Sequence, residues 1–227
     1  MTTERDIAMN LRYRCLILDH DDTVMNSTVE ANYPNMCRIL EILRPGDKDL
    51  SLEEFIEGNS HGFGVWAPRR WGFTPEEMTW QYEFWRQNVM DHRPTMIEGM
   101  AEFLTDYHRA GGIICVSSHS YRDMIEKDYL AGCGFLPDYI SSLDEPKELC
   151  KPSPHAVEEA MRRFGLEKKD ILVVDDLDTG HSMARAAGVD AAAAFWCITT
   201  PKVEAQLTAT AAYAFHRVEE LRQLIFG

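Results

Sequence analysis

The 227-residue chain lacks several things, and each shortage removes a class of function. Its longest uninterrupted apolar stretch, residues 191–198, falls far short of the ~20 residues a membrane-spanning helix needs. The segment up to Arg14 carries no apolar core of the signal-peptide kind, so a cytoplasmic location is expected. Positive charge is scarce, with 23 Lys and Arg against 37 Asp and Glu and a net charge of −14. That field disfavours nucleic acid or an anionic membrane as partner, although local cations and backbone amides can still invert it around a phosphate group. Six cysteines show no metal-site spacing. Cys15, Cys115 and Cys197 fall inside expected strands, which reads as reduced core thiols rather than disulfides. Eight histidines include no pair spaced for zinc. No repeat or low-complexity tract is present, and 45% hydrophobic residues suffice for a substantial core in one or two domains.

What the chain does have is four segments in which an apolar run ends in chemistry. Cys15-Leu16-Ile17-Leu18 runs into Asp19-His20-Asp21-Asp22-Thr23. A buried strand that ends in two carboxylates one residue apart holds like charges together, which is unfavourable unless a cation or a reaction needs them. The bland alternative is an acidic turn that ends a strand and caps a helix. Residues 112–120 form a second such run, closing on Ser117-Ser118-His119-Ser120 ahead of a helix that begins near Tyr121, the outline of an anion cradle. Lys151-Pro152-Ser153-Pro154 fixes a compact positive charge just before a helix. Ile171-Leu172-Val173-Val174 ends in Asp175-Asp176, followed by Gly180 and a helix over 183–187.

Strands are expected at about 14–18, 113–117, 138–141, 171–174 and 191–197. Near-continuous apolar runs of this kind mark parallel strands covered on both faces. The fold class is therefore α/β, a doubly wound parallel sheet, in which ligands bind beyond the carboxyl ends of the strands, where Asp19, Ser117 and Asp176 all lie. Residues 26–93 are too long for one crossover helix. Helical candidates there are 30–43, 51–57 and 75–90, with start signals at Ser51-Leu52-Glu53-Glu54 and Thr74-Pro75-Glu76-Glu77. The expected division is a core of 1–25 and 94–227 and an inserted helical cap of 26–93, with hinges near 25–27 and 91–95.

The ordered set resembles the haloacid dehalogenase superfamily over nearly the whole chain, in particular its phosphatase branch with an inserted helical cap, similar to phosphoglycolate phosphatases and β-phosphoglucomutases. The resemblance implies a Mg²⁺-dependent hydrolase of small phosphorylated metabolites. Asp19 would be the nucleophile that forms an aspartyl-phosphate, and Asp21 the acid that protonates the leaving group and then activates water. Ser117, the Ser118 backbone and Lys151 would hold the phosphoryl oxygens. Mg²⁺ would be held by Asp19, the Asp21 carbonyl and Asp176, with Asp175 in support, directly or through water. Thr23, His119, His61, Arg69 and Arg70 complete the expected substrate contacts.

Other readings stay open beside these. Gly62 and Gly64, beside His61 and ahead of Arg69-Arg70, read as a loop that either faces the site or is plain surface. His119 is balanced between a substrate contact and a solvated helix start, and His20 reads as an orientation-neutral neighbour with no role of its own. Trp66, Trp71, Trp80 and Trp85 read as cap core rather than an aromatic cage. Asp21 argues against a dehalogenase, because the resemblance places no acid there in that branch. The alternatives are a β-phosphoglucomutase-like phosphotransferase, weakened by His61 where the mutase pattern has Arg, and a non-catalytic phosphate-binding or signalling protein.

Overall fold

The computed structural model describes residues 11–60 and 62–227. Among them, β1 (Cys15–Leu18), β2 (Ile113–Ser117), β3 (Tyr139–Ser141), β4 (Ile171–Asp175), β5 (Asp190–Ala194) and β6 (Tyr213–Phe215) form one sheet. Its order is β3-β2-β1-β4-β5-β6, and every pair is parallel. β1 is central, with Leu16 opposite Ile114 on one side and Leu172 on the other. The last expected strand ends at Ala194 rather than residue 197. Beyond it Trp196 turns back, its Nε1–H donating to the Thr23 carbonyl at 3.1 Å. β6 has no counterpart in the sequence expectations, since Tyr213-Ala214-Phe215 is too short to show a period.

Strand alternation builds two cores. Leu16 and Leu18, with Ile114, Val116, Leu172 and Val174, pack against Phe103 and Leu104 of α5 (Met100–Arg109), Ile125 of α6 (Arg122–Gly132) and Leu221 of α10 (Val218–Phe226), numbering helices in chain order. Cys15 and Ile17, with Cys115, Ile171 and Val173, face Val157 and Ala160 of α7 (His155–Phe164) and Met183 and Ala184 of α8 (Asp178–Ala187). Helices thus cover both faces, as the apolar runs require.

Between β1 and β2 the chain makes a turn of π-helix (Thr28–Asn32), then α1 (Tyr33–Leu43), α2 (Leu52–Asn59), α3 (Phe63–Trp71) and α4 (Pro75–Asp91). Ser51 caps α2. Thr74 and Glu77 form a reciprocal capping box on α4, with Pro75 at its first turn. The stretch read as a loop ahead of Arg69-Arg70 is instead α3. It starts after Gly62 and ends on Gly72 at φ 63°, a left-handed stop that glycine adopts without strain. Trp66 and Trp71, 4.9 Å apart and edge-on, pack with Met36, Leu40, Phe55 and Phe73 in a third core, with Trp80 against it. Trp85 lies elsewhere, at the seam where Ala31 and Val89 meet Met124 of α6.

The insertion leaves and rejoins the sheet through a paired neck. Asn26 N–H donates to the Thr95 carbonyl at 2.8 Å and Ile97 N–H to the Val24 carbonyl at 2.9 Å. Glu30 clasps both sides, accepting from Asn26 Nδ2 (2.7 Å), Thr95 N (2.7 Å) and Thr95 Oγ1 (2.8 Å). Two further seams seat the helices. Leu52 and Ile56 of α2 pack on Ala193, Phe195, Val203 and Leu207, the last two from α9 (Pro201–Thr208), and Lys202 pairs with Glu57 at 2.7 Å. On the other flank Arg86 of α4 pairs with Asp123 of α6 at 2.6 Å.

Gly58 lets α2 and α3 approach, since a Cβ there would come within 2.0 Å of the Trp66 ring. Gly58→Ala is therefore expected to destabilise the insertion by about 1–3 kcal/mol through overpacking. Tryptophan fluorescence on urea titration checks it, because four of the five tryptophans lie in the insertion.

Candidate active site

Asp19 extends the β1 ladder by one residue, its N–H donating to the Val174 carbonyl at 2.9 Å. Alternation turns its side chain to the face of Cys15 and Ile17, the face on which Lys151 arrives ahead of α7. Lys151 Nζ lies 2.7 Å from Asp19 Oδ1 and 2.6 Å from Asp175 Oδ2, and all three side chains are buried. Burial works against the ammonium, but Asp175 and Asp19 outweigh it and hold Lys151 charged, its pKa raised. Burial pushes Asp175 up to about 7, with Asp19 adding to the rise and Lys151 opposing it. One ammonium between two carboxylates leaves a net negative charge out of water. Asp175 is fixed further by the Leu177 N–H on its Oδ1 at 2.8 Å, and Gly180 keeps clear of it, for a Cβ there would fall 2.0 Å from Asp175 Oδ2.

Asp176 completes the acid group, and carboxylate oxygens of Asp19, Asp175 and Asp176 lie within 4.8 Å of one another. Loss of hydration, then the neighbouring charges of Asp22, Asp19 and Asp175, push the Asp176 carboxyl well up. Thr23, expected on the substrate, is fully buried and donates from Oγ1 to Asp176 at 3.3 Å. With Lys151 committed to Asp19 and Asp175, the excess charge around Asp176 and the hard oxygen donors fit a Mg²⁺-type cation.

The turn after Asp19 is closed by the His20 carbonyl, which accepts from Val24 N–H and Met25 N–H, both at 2.9 Å. Asp22 sits at φ 55°, a left-handed position that Asp and Asn tolerate better than most. Its Oδ1 accepts from the Thr28 N–H at 2.8 Å and from Cys197 Sγ at 3.2 Å. Asp21 Oδ2 accepts from Ser120 Oγ at 2.5 Å.

The anion-cradle residues are arranged less openly than expected. Ser117 is buried, with its hydroxyl 3.6 Å from Met183 Sδ. Ser118 donates its N–H to the Ser141 carbonyl at 3.0 Å, so that amide is already used. Its hydroxyl turns inward to accept from Ser120 N–H at 3.1 Å. His119 is exposed, with Nε2 3.1 Å from the Lys151 carbonyl. Of the residues expected to face the substrate from the insertion, His61 lies outside the described residues and Arg69 is exposed on α3. Arg70 is held within the insertion by Glu54 (2.8 Å) and Asp47 (2.9 Å). The contacts of Ser120, Cys197 and Trp196 with Asp21, Asp22 and Thr23 carry no signal in the sequence, because only the folded chain brings these residues together.

This arrangement of strand-end carboxylates around one lysine, beside a helical insertion, has relatives. A family model of haloacid dehalogenase-like hydrolases matches residues 13–188, and the chain belongs to that family. Among solved structures it is similar to a haloacid dehalogenase-like protein of unknown function from Agrobacterium tumefaciens, at 20% identity over 93% of this chain and 97% of that one, with a TM-score of 0.75. It is also similar to a mutant CbbY from Rhodobacter sphaeroides in complex with xylulose-1,5-bisphosphate, at 18% identity over 92% of this chain and 96% of that one, TM-score 0.70. At these identities the likeness is one of fold. No curated protein sequence matches the chain.

Burial, with Asp21 adding, raises Asp22 to about 6 against the opposing hydrogen bonds from Thr28. A carboxyl whose folded pKa lies above its unfolded one costs nothing below the unfolded value, and its penalty grows until pH passes the folded value. Asp22→Asn keeps both the acceptor and the left-handed turn without the charge. It is expected to match the parent near pH 4 and exceed it by on the order of 2 kcal/mol above pH 6.5 in metal-free urea unfolding. An advantage that shrinks as pH rises would contradict the assignment.

Proposed function

We propose that the protein is a Mg²⁺-dependent phosphatase of small phosphomonoesters that works through an aspartyl-phosphate on Asp19. The observation that carries this reading is the buried Lys151 ammonium on Asp19 and Asp175 beside Asp176 at the strand ends. Family membership supports hydrolysis, and the sugar bisphosphate in the CbbY complex supports a phosphorylated metabolite as substrate.

Asp19 Oδ attacks phosphorus while Lys151, held charged, orients that carboxylate and offers its remaining donor capacity to a phosphoryl oxygen. Asp21, steadied by Ser120, gives its proton to the leaving oxygen and takes one from the water that cleaves the acyl-phosphate. The Ser117 hydroxyl and the turn that follows it border the phosphoryl group. Asp19, the Asp21 carbonyl and Asp176 are the residues that would hold Mg²⁺, which when bound offsets the repulsion between carboxylate and phosphate dianion. Asp175 acts through Lys151, fixing its direction. The insertion at 26–93 acts as a cap. Its α2 and α4 seams on the sheet domain exclude water from the attack and leave the organic part of the substrate facing the helices.

Asp19→Asn is expected to lower kcat by roughly three orders of magnitude or more with the fold intact, because an amide cannot form the acyl-phosphate. A panel of phosphomonoesters assayed with Mg²⁺ reads this out, and turnover near that of the parent sinks the reading. EDTA should abolish activity. Asp176→Ala should raise the Mg²⁺ concentration needed, whereas Asp175→Ala should lower kcat with little change in that requirement. The reverse pattern would exchange the two roles.

For the cap, His61→Ala and Arg69→Ala are expected to change kcat/KM between substrates while a minimal aryl phosphate is hydrolysed almost as before. Arg70→Ala, which loses the pairs to Glu54 and Asp47, should also lower thermal stability. Equal losses on every substrate would assign these three residues to structure alone.

A further inference from the structure

His20 stands between the proposed nucleophile and the proposed acid, and strand alternation sends it to the opposite face from Asp19. There the ring is fully buried and stacked on Tyr129 of α6 with centroids 6.2 Å apart. Its Nε2 lies 2.9 Å from Asp128 Oδ2, also on α6. Asp128, itself buried, receives a second partner: Arg93 donates from Nε to Oδ1 at 2.9 Å and from Nη2 to Oδ2. Arg93 belongs to the returning side of the neck, two residues before Thr95, whose carbonyl takes the Asn26 N–H. Burial alone would raise the Asp128 carboxyl, but His20 and Arg93 outweigh it and lower it, so this carboxylate stays ionised with both partners.

α6 and the loop before it therefore grip the Asp19 turn twice, through Ser120 on Asp21 and through Asp128 on His20. His20 is also the residue whose carbonyl closes that turn. A bidentate guanidinium on a buried carboxylate has little freedom to shift, since two parallel charge-assisted hydrogen bonds fix its direction as well as its distance. We propose that Asp128 is a positioning residue: it sets His20, and with it the directions of Asp19 and Asp21, and makes that setting depend on Arg93 and hence on how the neck seats the insertion. The proposal rests on the phosphatase reading for its kinetic consequence, whereas the mechanical coupling stands by itself. Substrate-dependent seating of the insertion would then reach the reacting carboxylates through three side chains.

The test uses the full chain with Mg²⁺ and a small aryl phosphate. Asp128→Asn and His20→Ala are expected to lower kcat about 10- to 100-fold, the scale of an ångström-sized misplacement, with KM within about threefold. His20→Gln returns an amide donor near the imidazole Nε2 and should recover at least about tenfold over His20→Ala. Arg93→Ala combined with His20→Ala should lose little more than the worse single variant, because both act through Asp128. A second readout needs no turnover: hydrogen exchange by mass spectrometry should quicken in peptides covering 18–25 when Arg93 is replaced, with 171–175 unchanged. Parent-like kcat, a loss confined to KM, no rescue by Gln, or multiplicative losses in the double variant would each overturn the proposal. Should Asp128→Asn fail to fold, the His20 and Arg93 variants decide. If the parent hydrolyses no phosphomonoester, the phosphatase reading falls and exchange at 18–25 alone sustains or overturns the coupling.

Discussion

One lysine carries the charge balance on which the site depends. Lys151 Nζ, at 2.6–2.7 Å from carboxylates ending two neighbouring strands, is the cation that lets β1 and β4 finish in acids inside the protein. Buried ion pairs seldom add much to stability relative to apolar substitutes, yet removing one partner costs about 3–5 kcal/mol because a bare charge is left behind. Here the imbalance is built in: the same ammonium pairs with Asp19 and Asp175, and its charge offsets the crowding around Asp176 less than the neighbouring carboxylates add to it. The fold thus holds a surplus of negative charge at its centre, and the sheet, α7 and Gly180 all serve to keep it there.

The surrounding structure follows from that constraint. Central strands must be apolar on both faces to hold such an acid group, which is why Leu16, Leu18, Cys15 and Ile17 are all fully buried. The turn after Asp19 is stitched by Thr28, Ser120 and the adjacent pair Trp196 and Cys197, from three separate parts of the chain. Thr28 and Cys197 satisfy the buried Asp22 carboxylate, Trp196 the carbonyl of buried Thr23, and Ser120 the half-buried Asp21 carboxylate.

Much of this could be read from the residues. The apolar runs before Asp19 and Asp175 announced parallel strands, and the Ser51 and Thr74 start signals located α2 and α4, because strand burial and helix capping are local physics. What local physics does not encode stayed hidden. α3 was missed because its nine residues hold two glycine-linked ends and an internal Pro68, which read as a loop until Trp66 and Trp71 anchor it in the third core. Ser118 looked available for an anion, but the register of β2 on β3 commits its N–H to Ser141. His20 reads as a bystander in the sequence because its partner Asp128 lies 108 residues away, and Arg93 gives no sign there of being more than a hinge residue.

The paired neck has a consequence of its own. Asn26 and Thr95 lie side by side, with Glu30 across them, so the sheet domain meets the insertion as a loop whose two ends are already closed. The entropy of spanning that fixed short gap depends only weakly on how many residues lie between the ends. Replacement helices of quite different length or sequence can therefore be grafted at the neck without asking the six strands to re-register. Such grafts would keep one floor of strand-end carboxylates under interchangeable ceilings, the neck serving as a natural splice point.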